Sequence, residues 1–483
     1  MSEPQSLKEK TAKGLLWGGV SNGVQQVLNL VFGIFLARLL SPADYGMVGM
    51  LTIFSLIAST IQESGFTAAL ANKRDIRHED YNAVFWFCVL CGGVLYAILF
   101  CCAPLIAAYY RQPELVPLSR YSFLGFFISS FGIAHNACLF RNLKVRQNAL
   151  VGMVGLTVSG CVGVLLAYNG FAYWGLVTQT LVFSFCITAG RWCVSGWHPT
   201  FSIDFRPLKG MLAFSSRMLM TNIMQTINNN ILTVILGRYY SPKDVGYYNQ
   251  ANKWNYMGFS TIQGMVNGVA QPVLHNVEES RARQVKVFRK MLRFTSFVSF
   301  PCLFGLALVA PELITIAITD KWLTSAGLMQ IICVGGALVP LQNLYNNLIV
   351  SKGRSDVCLW NTVAFGIVQI TSALVCYRFG MHVLVMAYVG INIVWMFVWH
   401  FWAWREIRLP LWDALKDVLP FGGIAAVCIL CAAYVSAFSQ NIYGRLAVKI
   451  GVAVVLYIAG MYLSRSVTFR ECVQFLKNKS RRT

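Results

Sequence analysis

The fold class predicted from the chain is an all-α polytopic membrane protein: about fourteen transmembrane helices, arranged as two six-helix lobes related by a parallel repeat plus two extra C-terminal helices. Three observations predict it. Hydrophobic residues make up 56% of the chain and charged ones 12%, and apolar runs of about 20 residues, the length that crosses a bilayer core, recur throughout. Lys and Arg concentrate in alternate connections, as the positive-inside rule requires. A pattern also occurs twice without a gap, 200 residues apart: Asn22, Gln25, Asn29, Leu36, Arg38, Ser41, Pro42, Asp44, Gly46 and Asn222, Gln225, Asn229, Leu236, Arg238, Ser241, Pro242, Asp244, Gly246.

The elements follow in order. A helix over 14–39 comes after Lys8, Lys10 and Lys13. This start resembles a signal peptide, but the stretch is too long and lacks a small-residue cleavage site, so it reads as a retained first helix. In Ser41-Pro42-Ala43-Asp44 the serine suits an N-cap, the proline the first helical position and the aspartate the first turn, which opens the next helix, over 46–70. Helices over 82–108, 118–140, 149–169 and 172–190 complete a first lobe at 1–205. The inner segment 191–211, with Gly196, Pro199 and Pro207, links it to a second lobe at 206–404. That lobe holds helices over 212–236, 245–274, 292–316, 323–350, 358–377 and 382–404, with Ser241-Pro242-Lys243-Asp244 repeating the turn. Helices over 418–438 and 445–464 lie outside the repeat, in a segment 405–483 that ends in a basic tail. The repeat encloses six spans, an even number, so both copies enter the membrane in the same direction and are related by an axis along its normal.

With both termini cytoplasmic, the inner segments hold 29 of the 40 Lys and Arg, which accounts for the net charge of +21 by topology. Lys449 falls near an outer helix end on this reading, and Arg191 in an inner segment. The charge is spread over short loops rather than gathered on a soluble domain, which argues against nucleic-acid binding. A basic inner face favours anionic lipid headgroups and phosphorylated lipids. Fifteen cysteines include Cys88/Cys91 and Cys428/Cys431, but each pair lies inside an apolar span without histidines at ligand spacing, so no metal or redox site is expected. Phosphate loops and paired helical histidines are missing, and no cofactor is implied. The expectation is a transporter, not an enzyme.

Asn22, Gln25 and Asn29 share a narrow arc of the first helix, and Asn222, Gln225 and Asn229 repeat it in the seventh. Amides in hydrocarbon need partners, so these faces look toward protein or a water-filled cavity; the alternative role is packing glue between helices. Lys253 lies well inside the eighth helix, where a cation is costly unless it meets a cavity or an anion such as a phosphate. Arg217 lies near the inner end of the seventh helix, within snorkelling reach of the interface. Glu63, in Ile61-Gln62-Glu63-Ser64-Gly65, is the candidate for accepting a coupling ion, against local hydrogen bonding at a helix end.

Taken together, Leu36-Ala37-Arg38-Leu39-Leu40-Ser41-Pro42-Ala43-Asp44-Tyr45-Gly46, Gly65-Phe66-Thr67-Ala68-Ala69-Leu70, Gly246-Tyr247-Tyr248-Asn249-Gln250-Ala251, Asp320-Lys321-Trp322, and Pro340-Leu341-Gln342-Asn343 through Ser351-Lys352-Gly353-Arg354-Ser355-Asp356 resemble the Wzx-type polysaccharide flippases of the multidrug/oligosaccharidyl-lipid/polysaccharide superfamily. The resemblance implies two lobes that rock between inward and outward openings. It implies movement of a polyprenyl-diphosphate-linked oligosaccharide from the cytoplasmic to the outer leaflet of a bacterial inner membrane. The partners it implies are that lipid-linked sugar, a proton or sodium ion, and a polymerase and glycosyltransferases. Where related flippases carry arginines in the first two helices, this chain has amides and apolar residues. A cation-coupled multidrug antiporter of the same superfamily and a non-transporting scaffold for glycosyltransferases are the alternatives; the duplicated amides weigh against the scaffold, which needs no polar interior.

Overall fold

A computed structural model describes residues 7–63, 66, 70, 73, 75–277, 280–464 and 466–480. Among these residues there is no strand, and fourteen helical segments of spanning length follow one another. They are α1 (Leu7–Leu39), α2 (Pro42–Glu63), α3 (His78–Tyr110), α4 (Leu115–Arg141), α5 (Val145–Tyr168), α6 (Ala172–Ser195), α7 (Lys209–Tyr239), α8 (Pro242–Asn276), α9 (Arg281–Ile318), α10 (Asp320–Ser351), α11 (Ser355–Cys376), α12 (Met381–Ile407), α13 (Leu411–Ser436) and α14 (Ile442–Leu463). A shorter α15 (Val467–Ser480) follows. Eleven of the fourteen are apolar enough along their described residues to count as membrane spans by length and composition. The other three are α1 and α7, which carry the duplicated amides, and α8, which carries Lys253. The chain divides into two compact units, Met1–Gly246 and Tyr247–Thr483.

The duplicated turn works as its chemistry demands. Ser41 N–H and Oγ–H donate to Asp44 Oδ2 at 2.8 and 2.6 Å while Asp44 N–H donates to Ser41 Oγ at 3.3 Å. Ser241 and Asp244 repeat the set at 3.2, 2.7 and 3.3 Å. Both helices begin at the proline, whose missing N–H would have had no helical partner in any case. The glycines that close the motif answer a different need. A Cβ on Gly46 would sit 1.7 Å from the carbonyl oxygen of Pro242, and one on Gly246 would sit 1.8 Å from that of Pro42. The two turns therefore pack backbone against backbone.

The repeat is also visible where side chains do not announce it. α4 breaks at Phe123 and again at Phe131-Gly132, and α10 breaks at Ala337-Leu338. The two helices end alike: Leu143 takes φ +52° where its counterpart Gly353 takes φ +71°, and Lys144 N–H and Arg354 N–H reach back to the carbonyls of Leu139 and Ile349. Gly170 and Gly380, both at positive φ, turn α5 into α6 and α11 toward α12.

In the first unit α5 packs on α1 and α6. Gly160 admits the Phe32 ring, which a Cβ would approach to 2.5 Å. The segment after α6 is laid against α3: Thr200 N–H donates to Asn82 Oδ1 at 2.9 Å, Trp86 Nε1–H to Thr200 O at 2.7 Å, and Trp197 Nε1–H to His78 Nδ1 at 3.0 Å.

In the second unit α9 is the hub for the two added helices. Lys449 of α14 is buried and pairs with Glu312 of α9 at 2.8 Å to both carboxylate oxygens, with Leu308 O accepting a third bond at 2.9 Å. Glu312 is thereby a buried carboxylate with its cation partner beside it. Nearer the start of α9, Arg289 donates from Nε and Nη2 to the two oxygens of buried Asp417 on α13 at 2.6 and 3.3 Å, and from Nη1 to Asp413 at 3.2 Å. Arg289 and Arg293 both stand on α9, which begins at Arg281.

Candidate functional site

The first unit encloses a polar cavity of about 580 Å³ whose wall is drawn from five helices. Asn22 and Gln25 come from α1, Ser59, Gln62 and Glu63 from the last turns of α2, Ser129 from α4, Asn148 and Gly152 from α5, and Ser184 and Arg191 from α6. Gln25 Nε2–H donates to Ser21 Oγ at 2.9 Å, and the missing side chain of Gly152 leaves the space its amide fills. Gln62 occupies a similar gap over Gly92 of α3, and its buried Nε2 has no hydrogen-bond partner among the described residues. Arg191 Nε–H donates to Asn148 Oδ1 at 3.3 Å, and Asn148 Nδ2–H to Asn136 Oδ1 at 3.4 Å. Glu63 ends α2 with its side chain exposed to the cavity, and it and Arg191 feel each other's charge.

This set can hold a small polar or charged guest. Amides and hydroxyls both donate and accept, the guanidinium offers only donors and the ionised carboxylate only acceptors. The volume lies within the range of about 300–1,000 Å³ usual for small-ligand pockets. It suits an ion with its water, or a headgroup fragment, rather than a whole lipid-linked oligosaccharide.

The expected residues are distributed unevenly. Asn22, Gln25 and Glu63 meet in the cavity. Asn29 is exposed on α1 away from it, and Asn222, Gln225 and Asn229 lie along α7, half-buried or exposed, outside this cavity. Lys253 is exposed on α8, and it makes no hydrogen bond or ion pair among the described residues. The side chain of Arg217 lies outside the described residues. Arg191 was missed because α6 was ended at 190, whereas the helix runs on to Ser195. The signal was present: Ser184, Ile187 and Arg191 stand at three- and four-residue spacing, one face of one helix.

These features define a polytopic membrane protein with a transporter-type helical fold and a polar interior. A family model described as polysaccharide biosynthesis protein matches residues 35–327, and the chain belongs to that family. It is 24% identical to the teichuronic acid biosynthesis protein TuaB of Bacillus subtilis, over 74% of each chain. It is 22% identical to the lipopolysaccharide biosynthesis protein WzxC of Escherichia coli, over 73% of this chain and 72% of that one. Among solved structures, the inward closed conformation of the lipid II flippase MurJ superposes with a TM-score of 0.75 at 14% identity, over 95% of this chain and all of the other. At that identity the likeness concerns the fold.

Proposed function

We propose that the chain flips a polyprenyl-diphosphate-linked oligosaccharide from the cytoplasmic to the outer leaflet of a bacterial cytoplasmic membrane, for assembly of a surface polysaccharide. The observation that carries this reading is membership of the polysaccharide biosynthesis family by a chain built of long apolar helices that carry polar faces. Such a substrate joins a membrane-soluble tail to a head that hydrocarbon excludes, so a carrier must offer the head polar groups at membrane depth. The amide faces of α1 and α7 supply neutral partners for sugars, and Lys253 and Arg217 supply cations for the diphosphate.

On this reading 1–205 and 206–404 act as the two moving lobes, with both termini cytoplasmic. The cavity around Glu63 is the coupling site for a proton or sodium ion. The flipped product passes to a polysaccharide polymerase, and glycosyltransferases on the inner face supply the substrate.

Cells in which the chain is replaced by Lys253→Ala test the reading. They should lose surface polysaccharide and accumulate the lipid-linked oligosaccharide in the inner leaflet, at unchanged protein abundance. Normal surface polysaccharide would remove Lys253 from the site, and loss without accumulation of the lipid intermediate would point to a role other than flipping.

A further inference from the structure

α8 has two unlike long faces. Ile262, Met265, Val266 and Val273 line an apolar cavity with α9 and α15. At about 100° per residue, Lys253, Tyr256, Ser260, Gly264 and Asn267 fall within about 80° of one another on the other side. Lys253, Tyr256, Gly264 and Asn267 are all exposed, and Tyr256 is 56% so. A Cβ on Gly264 would meet nothing within 4 Å, so the backbone itself is open there. The stripe runs over fifteen residues, about 21 Å of helix from first to last. That is the dimension of an oligosaccharide rather than an ion.

At its far end from Lys253 the stripe meets a cluster of three amides. Asn267 Oδ1 accepts from Asn343 Nδ2–H at 2.9 Å and from Asn347 Nδ2–H at 3.0 Å, both on α10, and Asn347 Nδ2–H also donates to Asn343 O at 2.9 Å. These bonds fix the three side chains against one another. They leave the Asn267 amide nitrogen and Asn343 Oδ1 without a protein partner among the described residues, one a donor and one an acceptor on a rigid frame. One turn from Lys253, the Tyr256 ring is braced edge-to-face by Phe259 at 5.3 Å between centroids. A braced, exposed aromatic on the same helix face as preorganised amides, about 16 Å further along, suits a sugar chain of several units, whose hydroxyls need paired donors and acceptors and whose C–H faces suit a ring.

We propose that this face of the second unit is a sugar-recognition subsite: Asn267 and Asn343 read hydroxyls of the oligosaccharide, Tyr256 carries a pyranose face, and Lys253 receives the anionic end. The proposal rests on the flippase reading above and adds to it the residues that discriminate between glycans. Sites built to hydrogen-bond hydroxyls reject analogues that lack them far more strongly than apolar pockets reject a missing methylene, so the amide cluster is the part that sets which glycan is accepted.

The test uses the purified full chain and two probes: lipid-linked oligosaccharide extracted from cells depleted of this protein, and sugar-free polyprenyl diphosphate. The double variant Asn267→Leu/Asn343→Leu should bind the glycosylated probe at least tenfold more weakly and the sugar-free probe as well as the unaltered chain does. Tyr256→Ala, at an exposed position, should behave the same way, Tyr256→Phe should retain both affinities, and Lys253→Ala should weaken both probes together. If the double variant and Tyr256→Ala keep the full preference for the glycosylated probe, or lose both probes equally, the subsite is wrong while the flippase reading stands. If the unaltered chain binds neither probe, the flippase reading fails and the subsite with it.

Discussion

Glu63 and Arg191 place opposite charges on the wall of one cavity without forming a direct ion pair, and Asn148 rather than the carboxylate holds the guanidinium. This is the carboxylate proposed to couple transport to an ion. Glu63→Gln should therefore leave binding of the lipid-linked sugar intact while abolishing the response of transport to an imposed ion gradient; a gradient response equal to that of the unaltered chain would exclude Glu63 from coupling. Arg191→Gln removes the cation that offsets Glu63 and should lower gradient-driven transport about tenfold, equivalent to about 1.4 kcal/mol in a barrier, at normal abundance. At this scale the sequence was only partly informative. Asn22, Gln25 and Glu63 stood out because polar residues in an apolar run are conspicuous. Arg191 did not, because a basic residue at the cytoplasmic end of a span is the ordinary expectation, and only its register with Ser184 and Ile187 distinguishes it.

The elements are held by contacts that differ in how far they could be foreseen. The serine, proline and aspartate of the duplicated turn are local chemistry, visible in six residues, and they cap α2 and α8 as expected. The reason for the following glycine is not local, since it is a carbonyl 196 positions away in one copy, Pro242 facing Gly46. Gly46→Ala and Gly246→Ala should each destabilise the chain, by about 1–3 kcal/mol as overpacking does, which thermal unfolding in detergent would register as a clear drop; unchanged unfolding temperatures would mean the two turns separate easily.

Lys449 and Glu312 make a similar point, since nothing in either segment marks two residues so far apart in the chain as partners. Lys449→Met should be strongly destabilising because it leaves Glu312 buried and uncompensated, by about 3–5 kcal/mol, whereas Lys449→Met/Glu312→Leu should recover much of the loss. Equal destabilisation by the single and double variants would show that the pair itself holds α14 to α9. The breaks in α4 and α10 escaped detection for a related reason. Hydropathy continues unbroken across Phe131-Gly132 and Ala337-Leu338, and only the backbone geometry shows that each span is made of short pieces.

For the molecule as a whole, the all-helical polytopic class and the order of fourteen long helices, eleven of them apolar enough to count as spans, were legible, because membrane thickness and charge asymmetry constrain a polytopic chain more tightly than packing constrains a soluble one. The helices run longer than the apolar runs suggested, as α9 does in beginning at Arg281 rather than at 292, since a helix continues past the hydrocarbon while its sequence turns polar. With both ends in the cytoplasm, as proposed, reporter fusions at either terminus should signal from the cytoplasm, and a periplasmic signal from one alone would require an odd number of crossings.

The proposed transport of a lipid-linked sugar by a body with a polar interior ties these scales together. The decisive measurement is transfer of polyprenyl-diphosphate oligosaccharide across proteoliposomes containing the purified chain, with a cationic drug in parallel vesicles and a proton or sodium gradient imposed. Transfer of the lipid-linked sugar, lost in Lys253→Ala, is the expected result. Gradient-driven movement of the drug without the sugar lipid would contradict it and make the protein an antiporter.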